Sequence, residues 1–222
     1  MVGLARRRFR SVIELDIAPY LSLRDTWPAS GQVVLAQYDR DSIVVYQAFN
    51  AVTAAHAVEH QQLGGPRYSL DRMSWIKPNF MWMMYRCDWL QADDEQARVL
   101  AIRVRRAFFD TLLDTAVASS FGASGLESRD AWKRALRRSE VRLQWDPDHG
   151  PTGGKLARRA VQLGLRGTML RRFVSEETLS IEDISDFVRE QRTHRGALEA
   201  LRVPVERVYA RPSSAPRDPV AS

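Results

Sequence analysis

The amino-acid sequence predicts a single α+β domain in which helices pack on mainly antiparallel sheets. Segments with the two-residue period of strands interleave with segments of helical period, without the strict alternation that produces a parallel sheet. The 222 residues are 45% apolar and 27% charged, as in ordinary globular domains. We expect an N-terminal arm over residues 1–31, the domain over residues 32–210, and a disordered tail over residues 211–222.

Elements in the first half of the domain follow from residue type and spacing. The predicted elements are a β-hairpin over 33–38 and 42–48, a helix over about 51–62 and a half-buried strand over 98–104. Both hairpin segments are rich in β-branched and aromatic residues and flank a polar turn. Asn50 can cap the helix, and a Gly-Gly-Pro run would end it. The strand alternates apolar and polar side chains.

The second half of the domain is predicted to be mixed in the same way. The predicted elements are a helix over 108–117, a helix beginning after Ser128, strands over 141–145 and 160–165, and helices over 169–174, 181–192 and 195–201. Ser128 is a typical N-cap residue. The sequence Asp-Pro-Asp-His-Gly at 146–150 predicts a turn.

Positive charge is concentrated in one fifth of the chain. Residues 129–172 hold twelve basic and four acidic residues, whereas the whole chain carries a net charge of +6. Such a region can form a positive surface that attracts phosphates. Alternatively, it is a solvated face that pairs with the acidic segment 176–190. The first interpretation makes this region the binding surface of a non-catalytic nucleic-acid- or protein-binding module.

The single cysteine, Cys87, excludes an internal disulfide and fits a reducing compartment. We expect a buried, structural thiol. No apolar run approaches the length of a membrane span, and the N-terminus lacks the apolar core of a signal peptide. The sequence therefore predicts a cytoplasmic protein without a membrane partner.

A metal-binding pattern occurs once. His56 and His60 flank Glu59 in the order His-x-x-Glu-His, which can place two imidazoles one helical turn apart beside a carboxylate. The local sequence indicates no third ligand, and zinc sites need at least three protein ligands. We therefore expect both histidines to be unliganded and predict no metal site.

A glycine-rich segment over residues 150–155 is only loosely similar to a phosphate-binding loop. The spacing of its first glycine is wrong by one residue, and Leu156 stands where Ser or Thr would bind magnesium. We predict a flexible glycine loop between two strands.

An aromatic block over residues 72–89 is the most informative stretch of the chain. It contains three Trp, one Phe, one Tyr and four Met, with charged residues between them. Charges among aromatic side chains are costly unless they serve a ligand or a fixed partner. We therefore predict that three charged residues of the block share one pocket roofed by Trp75 or Trp82. They are Arg72, Lys77 and Arg86. The alternative is that the block is purely core.

Five segments carry a family resemblance. They are IVVYQAFN at 43–50, RMSWIKPNFMWMMYR at 72–86, QARVLAI at 96–102, VRLQWDP at 141–147 and RAVQLGL at 159–165. Together they resemble a bacterial and fungal family, domain of unknown function 4291, from about Gln32 to Val188. The resemblance implies a family without assigning a reaction, so the site has to be inferred from the residues themselves.

The leading hypothesis is an enzyme that acts on a nucleotide or a nucleic acid. Its candidate catalytic residues are Gln47, Tyr85 and Gln162. Its candidate ligand-binding residues are Arg72, Trp75, Lys77, Arg86 and Gln144. Basic and phenolic side chains suit anionic groups, and amides can orient a ligand.

One analogy suggests a cofactor. ADP-ribosyltransferase-type folds bind NAD between two antiparallel sheets, using a polar residue on an early strand, then an aromatic residue, then a late Glu or Gln. Tyr46-Gln47, Tyr85-Arg86 and Gln162 offer that order, with Gln162 in place of the usual acid. NAD is a candidate cofactor by this analogy alone.

Overall fold

The computed structural model describes residues 15–211, which contain seven α-helices and twelve β-strands. The helices are α1 Tyr20–Arg24, α2 Ala51–His60, α3 Phe80–Arg86, α4 Arg106–Thr115, α5 Arg129–Arg138, α6 Gly167–Arg172 and α7 Ser185–Arg192. The strands are β1 Ile17–Pro19, β2 Gly31–Gln32, β3 Leu35–Ala36, β4 Ser42–Phe49, β5 Ser74–Ile76, β6 Arg98–Arg105, β7 Val117–Ala118, β8 Val141–His149, β9 Lys155–Leu165, β10 Thr178–Asp183, β11 Arg202–Pro204 and β12 Arg207–Val208.

Two main sheets organise these strands. The first is antiparallel, in the order β10-β6-β4. The second has the order β2-β9-β8-β7, with β5 paired to β9 beside β2. Its long β8–β9 hairpin is antiparallel. The two-residue strands at the sides are parallel to their partners: β2 pairs with β9, and β7 pairs with β8. Two further pairs, β1–β11 and β3–β12, are also antiparallel. The predicted α+β class with mainly antiparallel sheets is confirmed.

A short backbone bridge joins the two main sheets. The Tyr46 amide donates to the Lys77 carbonyl at 2.7 Å, and the Lys77 amide donates back to the Tyr46 carbonyl at 3.2 Å. Lys77 follows β5, which pairs with β9 through Ile76↔Leu163. The edge of β4 is therefore held to the edge of the second sheet at the residue where the aromatic block becomes most buried.

Hydrophobic clusters cover both faces of the first sheet. Along β4, Ile43 and Val45 face one cluster while Val44 and Tyr46 face the other. β6 alternates in the same way, and its residues 99–102 are fully buried. The prediction that 98–104 is half-buried is therefore wrong, because this strand is central and both of its faces are covered.

Helix α3 buries most of the aromatic block in the core. Asn79 caps it by accepting from the Trp82 amide at 2.6 Å. The buried carboxylate of Glu206 accepts from the Phe80 amide at 2.6 Å and from the Asn79 side chain at 3.1 Å, at the positive end of the helix. Burial nevertheless raises the pKa of Glu206 well above its ordinary value. Most of the block is core, but its charged residues are placed differently, as described below.

Several predicted elements are confirmed and others are wrong. Helix α2 begins after Asn50 and α5 after Ser128, both with the predicted caps. The turn at 146–150 is wrong, since β8 continues to His149. The helix over 181–192 is wrong in its first part, where β10 pairs with β6. Residues 195–201 form turns instead of a helix, with β11 following.

The N-terminal segment that the structure describes is part of the fold. Strand β1 pairs with β11, and both Tyr20 and Trp27 are buried in the second cluster. Residues 15–31 are thus not an arm, because aromatic side chains in this segment fill the core beside the C-terminal strands. The start of the predicted arm and the predicted tail from residue 212 lie outside the described residues.

The outer edge of β10 is occupied by a side chain. Gln61, in a left-handed conformation at the end of α2 (φ 53°), accepts from the Ile181 amide at 2.8 Å. Its amide nitrogen donates to the Ile181 carbonyl at 2.9 Å. The side-chain amide thus replaces a neighbouring strand at this position.

A buried ion pair fixes the end of β8. The Arg158 Nε atom lies 2.6 Å from Asp148 Oδ2, and both side chains are at most 6% exposed. Asp148 also accepts from the His149 amide, and the Arg158 guanidinium lies over the Trp27 ring. The pair ties the β8–β9 hairpin to the N-terminal segment.

We expect Asp148→Asn to lower the free energy of unfolding by about 3–5 kcal/mol, because a buried guanidinium would lose its counter-charge. Asp25→Asn is the control, since its ion pair with Arg24 at 2.9 Å is exposed. That change should cost less than about 1 kcal/mol. Urea unfolding of both variants measures the difference, and equally small effects would contradict the role given to Asp148.

Candidate functional site

Five residues on one face of the second sheet form a polar surface, which we call the Lys77 face. They are Trp75, Lys77, Gln144, Asp146 and Gln162. Gln144 and Gln162 are direct partners across β8 and β9, and their neighbours Leu143 and Leu163 point to the opposite face, into the first cluster. Trp75 pairs with Gly164 on β9.

Glycine at position 164 allows Trp75 to lie on the sheet. A Cβ atom there would approach the Met73 sulfur to 2.6 Å and the Trp75 ring to 3.0 Å. The indole is partly exposed. The tryptophan therefore forms a wall of the Lys77 face instead of part of the core.

Both amides of this face hold one carboxylate. Gln144 Nε2 donates to Asp146 Oδ1 at 2.8 Å, and Gln162 Nε2 donates to Asp146 Oδ2 at 2.8 Å. Asp146 is half-buried, so its orientation is fixed while lone pairs remain available for a ligand donor. Sequence analysis placed Asp146 in a turn and missed it as a site residue. Its alternation with Gln144 on β8 was the signal for it.

Lys77 is a nearly buried cation. Its side chain donates to the Trp75 carbonyl at 3.4 Å, and within residues 15–211 no carboxylate lies within salt-bridge distance of it. Burial, assisted by the Arg86 charge, lowers the pKa of Lys77 to about 8, while Cys87 and Asp146 oppose the shift. The ammonium group therefore loses its proton much nearer to neutral pH than an ordinary lysine does.

Next to this face lies a groove of about 330 Å³, which we call the loop groove. Its lining residues are Tyr85, Arg86, Asp88, Trp89, Gly150, Pro151, Thr152, Gly153 and Arg195. Arg86, at the end of α3, lines the groove, and its charge contributes to lowering the pKa of Lys77. The glycine loop joins β8 to β9, as the sequence predicted, and a Cβ on Gly153 or Gly154 would meet nothing within 4 Å.

One wall of the loop groove has a strained backbone. Asp88, Trp89 and Leu90 have φ values of 43°, 52° and 67°, a left-handed turn of three residues other than glycine. Each such residue costs on the order of 1 kcal/mol or more. The buried Trp89 side chain offsets this cost, and its Nε1 atom donates to the Pro151 carbonyl at 3.2 Å. The turn and the glycine loop are therefore locked to each other.

A stack of three aromatic rings supports the opposite wall. The Tyr85 and His149 rings lie 3.5 Å apart and nearly parallel, and Trp82 stacks on both at about 5.5 Å. Tyr85 is 42% exposed. Among the described residues neither ring nitrogen of the buried His149 has a hydrogen-bond partner, and burial lowers the pKa of this imidazole. Sequence analysis missed His149, which lies directly before Gly150.

The structure brings six of the eight sequence-predicted site residues into two groups and leaves Gln47 and Arg72 apart from them. Trp75, Lys77, Gln144 and Gln162 meet on the Lys77 face, and Tyr85 and Arg86 line the loop groove. Gln47 shares its side of β4 with Val45 and Phe49, which pack in the first cluster. It therefore lies on the side of the first sheet that faces this cluster, away from the Lys77 face. From there it donates to the Ser74 hydroxyl at 2.8 Å and to the Trp75 carbonyl at 3.1 Å. Arg72 is exposed in the loop before β5.

The remaining motifs stay outside this site. His56 and His60 stack at 4.1 Å, and His60 Nδ1 lies 2.9 Å from the His56 carbonyl. In residues 15–211, no three His, Cys, Asp or Glu side chains are grouped so that they could hold a metal ion. Cys87 is buried, and burial raises the pKa of its thiol. None of the described helices has the length and apolar character needed to cross a membrane.

Comparison with known proteins gives a family match. The family model described as "Domain of unknown function (DUF4291)" matches residues 33–209. This range includes the whole Lys77 face and all of the loop groove. No match to the chain was found among curated proteins.

The burial of Lys77 leads to a stability prediction. The folded-state pKa of about 8 lies below the ordinary 10.5, so the unfolded chain binds the extra proton between these two values. The cost to folding is fully present below about pH 8 and disappears as the pH rises towards 10.5. We expect Lys77→Met to raise the free energy of unfolding at pH 7 by up to about 3 kcal/mol.

Denaturant titrations of both proteins at pH 7, 8, 9 and 10 measure this effect, with the stability difference expected to shrink as the pH rises. A difference independent of pH, or a less stable variant, would show that Lys77 is charged and well solvated in the folded protein.

Proposed function

Because the chain belongs to the DUF4291 family, which is defined by sequence and not by a reaction, we propose a function from geometry: the protein binds a phosphate-bearing nucleotide in the loop groove and acts on it with the Lys77 face. The observation that carries the proposal is that two elements connect the features: α3 begins three residues after Lys77 and ends with Arg86 in the groove, and β8 leads from Asp146 to the glycine loop. A ligand held by Arg86 would therefore lie beside a lysine with an unusual pKa.

Phosphate recognition is supported by the charges of the groove. The Arg86 and Arg195 guanidinium groups both line it, and guanidinium forks suit phosphate oxygens. Arg195 is 3.8 Å from Asp88, and both side chains are substantially exposed, so this pair is weak enough to open for a ligand. The glycine loop has no side chains at Gly153 and Gly154 that would keep a phosphate away.

A nucleotide fits better than a simple phosphate ester. The exposed part of the Tyr85 ring offers a stacking surface, since its other side rests on His149. His149 is buried behind Tyr85 and does not line the groove, so its role in this proposal is to hold the Tyr85 ring in place for stacking. The groove volume of about 330 Å³ lies within the range of small-ligand sites.

The chemistry is assigned to Lys77 and Asp146. A lysine with a pKa of about 8 can transfer a proton near neutral pH or stabilise a developing anion. Asp146, fixed by Gln144 and Gln162, is suited to accept a proton or a hydrogen bond from a ribose hydroxyl. In this proposal Gln162 positions Asp146, Tyr85 stacks on the base, and Gln47 supports the Trp75 carbonyl.

The ADP-ribosyltransferase analogy gains no support from this arrangement. Tyr46 is fully buried. Gln47 is on the side of the first sheet that faces the first cluster, whereas Gln162 is on the face of the second sheet that points away from that cluster. NAD remains among the ligands to be tested because it carries two phosphates and two stacking rings.

We expect ATP, GTP or NAD to bind, and Arg86→Ala and Arg195→Ala each to weaken that binding about 10-fold or more, because a hydrogen bond to a charged group contributes roughly 1.5–3 kcal/mol. Isothermal titration calorimetry with each nucleotide measures the affinity.

Arg40→Ala is the matched control, since Arg40 is exposed and does not line the groove. The proposal fails if none of the three nucleotides binds, or if Arg86→Ala binds them as tightly as the control.

A further inference from the structure

Helix α5 carries an exposed row of cations that is separate from the loop groove. Its outward residues are Lys133, Arg134, Arg137 and Arg138, and all four are exposed. In the part of the chain that the structure describes, none of them forms a salt bridge, although Asp130 lies one turn before Lys133 and Arg134. The charges therefore face solvent without compensation.

Two other arginines of the basic region, Arg142 and Arg166, have internal roles. The Arg166 guanidinium donates to the carbonyls of Leu136, Arg137 and Ser139, which close the C-terminal end of α5. Arg142 donates to the Leu136 and Ser139 carbonyls. These bonds satisfy carbonyls that the helix end leaves free. The bonds also hold α5 on the sheet in one orientation.

Ion pairing between the acidic segment 176–190 and the basic region is confined to one pair among the described residues. Arg172 binds Glu177 at 2.6 Å, and the other ion pairs of that segment involve Arg98, Arg105 and Arg189. The exposed face of α5 is therefore not neutralised by the acidic segment, which was the alternative interpretation of the charge pattern.

The inner face of α5 is already occupied. Trp132 is partly buried, and its Nε1 atom donates to the Ala118 carbonyl of β7 at 2.9 Å, while Leu136 is half-buried on the same side. The outward face thus offers charge without apolar side chains. A membrane-binding helix would need an apolar face free to enter the lipid, and this helix has none to spare.

We propose that the outward face of α5 binds the phosphate backbone of a nucleic acid. Lys133 and Arg138 are five residues apart, about 7.5 Å along the helix axis. This span is roughly one Debye length at physiological ionic strength, so the four charges act together. The negative C-terminal end of the helix favours the two arginines of its last turn, but it does not account for Lys133 and Arg134. Guanidinium groups suit phosphate oxygens, and the contacts are independent of base sequence.

The proposal has a quantitative consequence in salt. Four phosphate contacts to a single strand give a slope of log affinity against log salt of about −3, equivalent to a loss of about 50-fold between 50 and 200 mM salt. Removing the four cations should abolish most of that slope, together with most of the affinity at low salt.

The test uses the full chain and a fluorescein-labelled mixed-sequence single strand of about twenty nucleotides, with binding followed by anisotropy at about 50 and 200 mM KCl. The variant changes Lys133, Arg134, Arg137 and Arg138 to Gln. The control changes four exposed arginines elsewhere to Gln and loses the same charge. They are Arg24, Arg40, Arg67 and Arg202. Circular dichroism and thermal melting verify that both variants fold.

We expect the α5 variant to lose at least about 50-fold in affinity at low salt, and the control to lose less than about 5-fold. Equal losses in the two variants, unchanged binding by the α5 variant, or no binding by the unmodified protein would overturn the proposal. So would α5-dependent binding to phosphatidylserine vesicles without binding to the oligonucleotide. Nucleotide calorimetry on the α5 variant tests the loop groove separately, since Arg86 and Arg195 are unchanged there.

Discussion

The backbone bridge between Tyr46 and Lys77 is the contact on which the rest of the structure depends. It joins the two main sheets through backbone hydrogen bonds, and the Gln47 side chain adds two further bonds from β4 to Ser74 and Trp75 of β5. Backbone groups at this depth must be paired, so the bridge fixes the position of the whole Lys77 backbone. The Lys77 side chain then has no freedom to reach bulk water, which is the origin of its lowered pKa.

Two elements connect the Lys77 face to the loop groove. Strand β8 runs from the amide-held Asp146 to His149, and the glycine loop follows at once. Helix α3 runs from the capped Asn79 to Tyr85 and Arg86 at the groove. Strand β8 and helix α3 thus each lead from the Lys77 face to the loop groove. Such an arrangement holds polar groups in place before a ligand arrives, which reduces the entropy lost on binding.

Much of the fold was predictable because local signals and tertiary packing agreed. Asn50 and Ser128 cap helices where their side chains favour it, and β4 and β8 show strand periods. The errors arose where packing overrode local preference. Residues 181–183 belong to β10 and pair with β6 instead of starting the predicted helix over 181–192. The candidate site was only partly predictable. The charged aromatic block pointed to Lys77 and Arg86. The pairing of β8 with β9, which brings the Gln144 and Gln162 amides to Asp146, depends on tertiary structure that residue type and spacing do not reveal. His149 gave no periodic signal at all.

The Gln61 side chain that completes the edge of β10 affects how molecules of this protein meet each other. A bare strand edge is a template on which a second chain can add a strand, and sheets grow into aggregates in this way. Here both backbone groups of Ile181 that would start such growth are already engaged by an amide from the same chain. Because the amide is carried by the end of α2, the backbone groups of Ile181 become available only if that helix end moves away. Resistance to edge-to-edge polymerisation is therefore coupled to the integrity of a helix terminus.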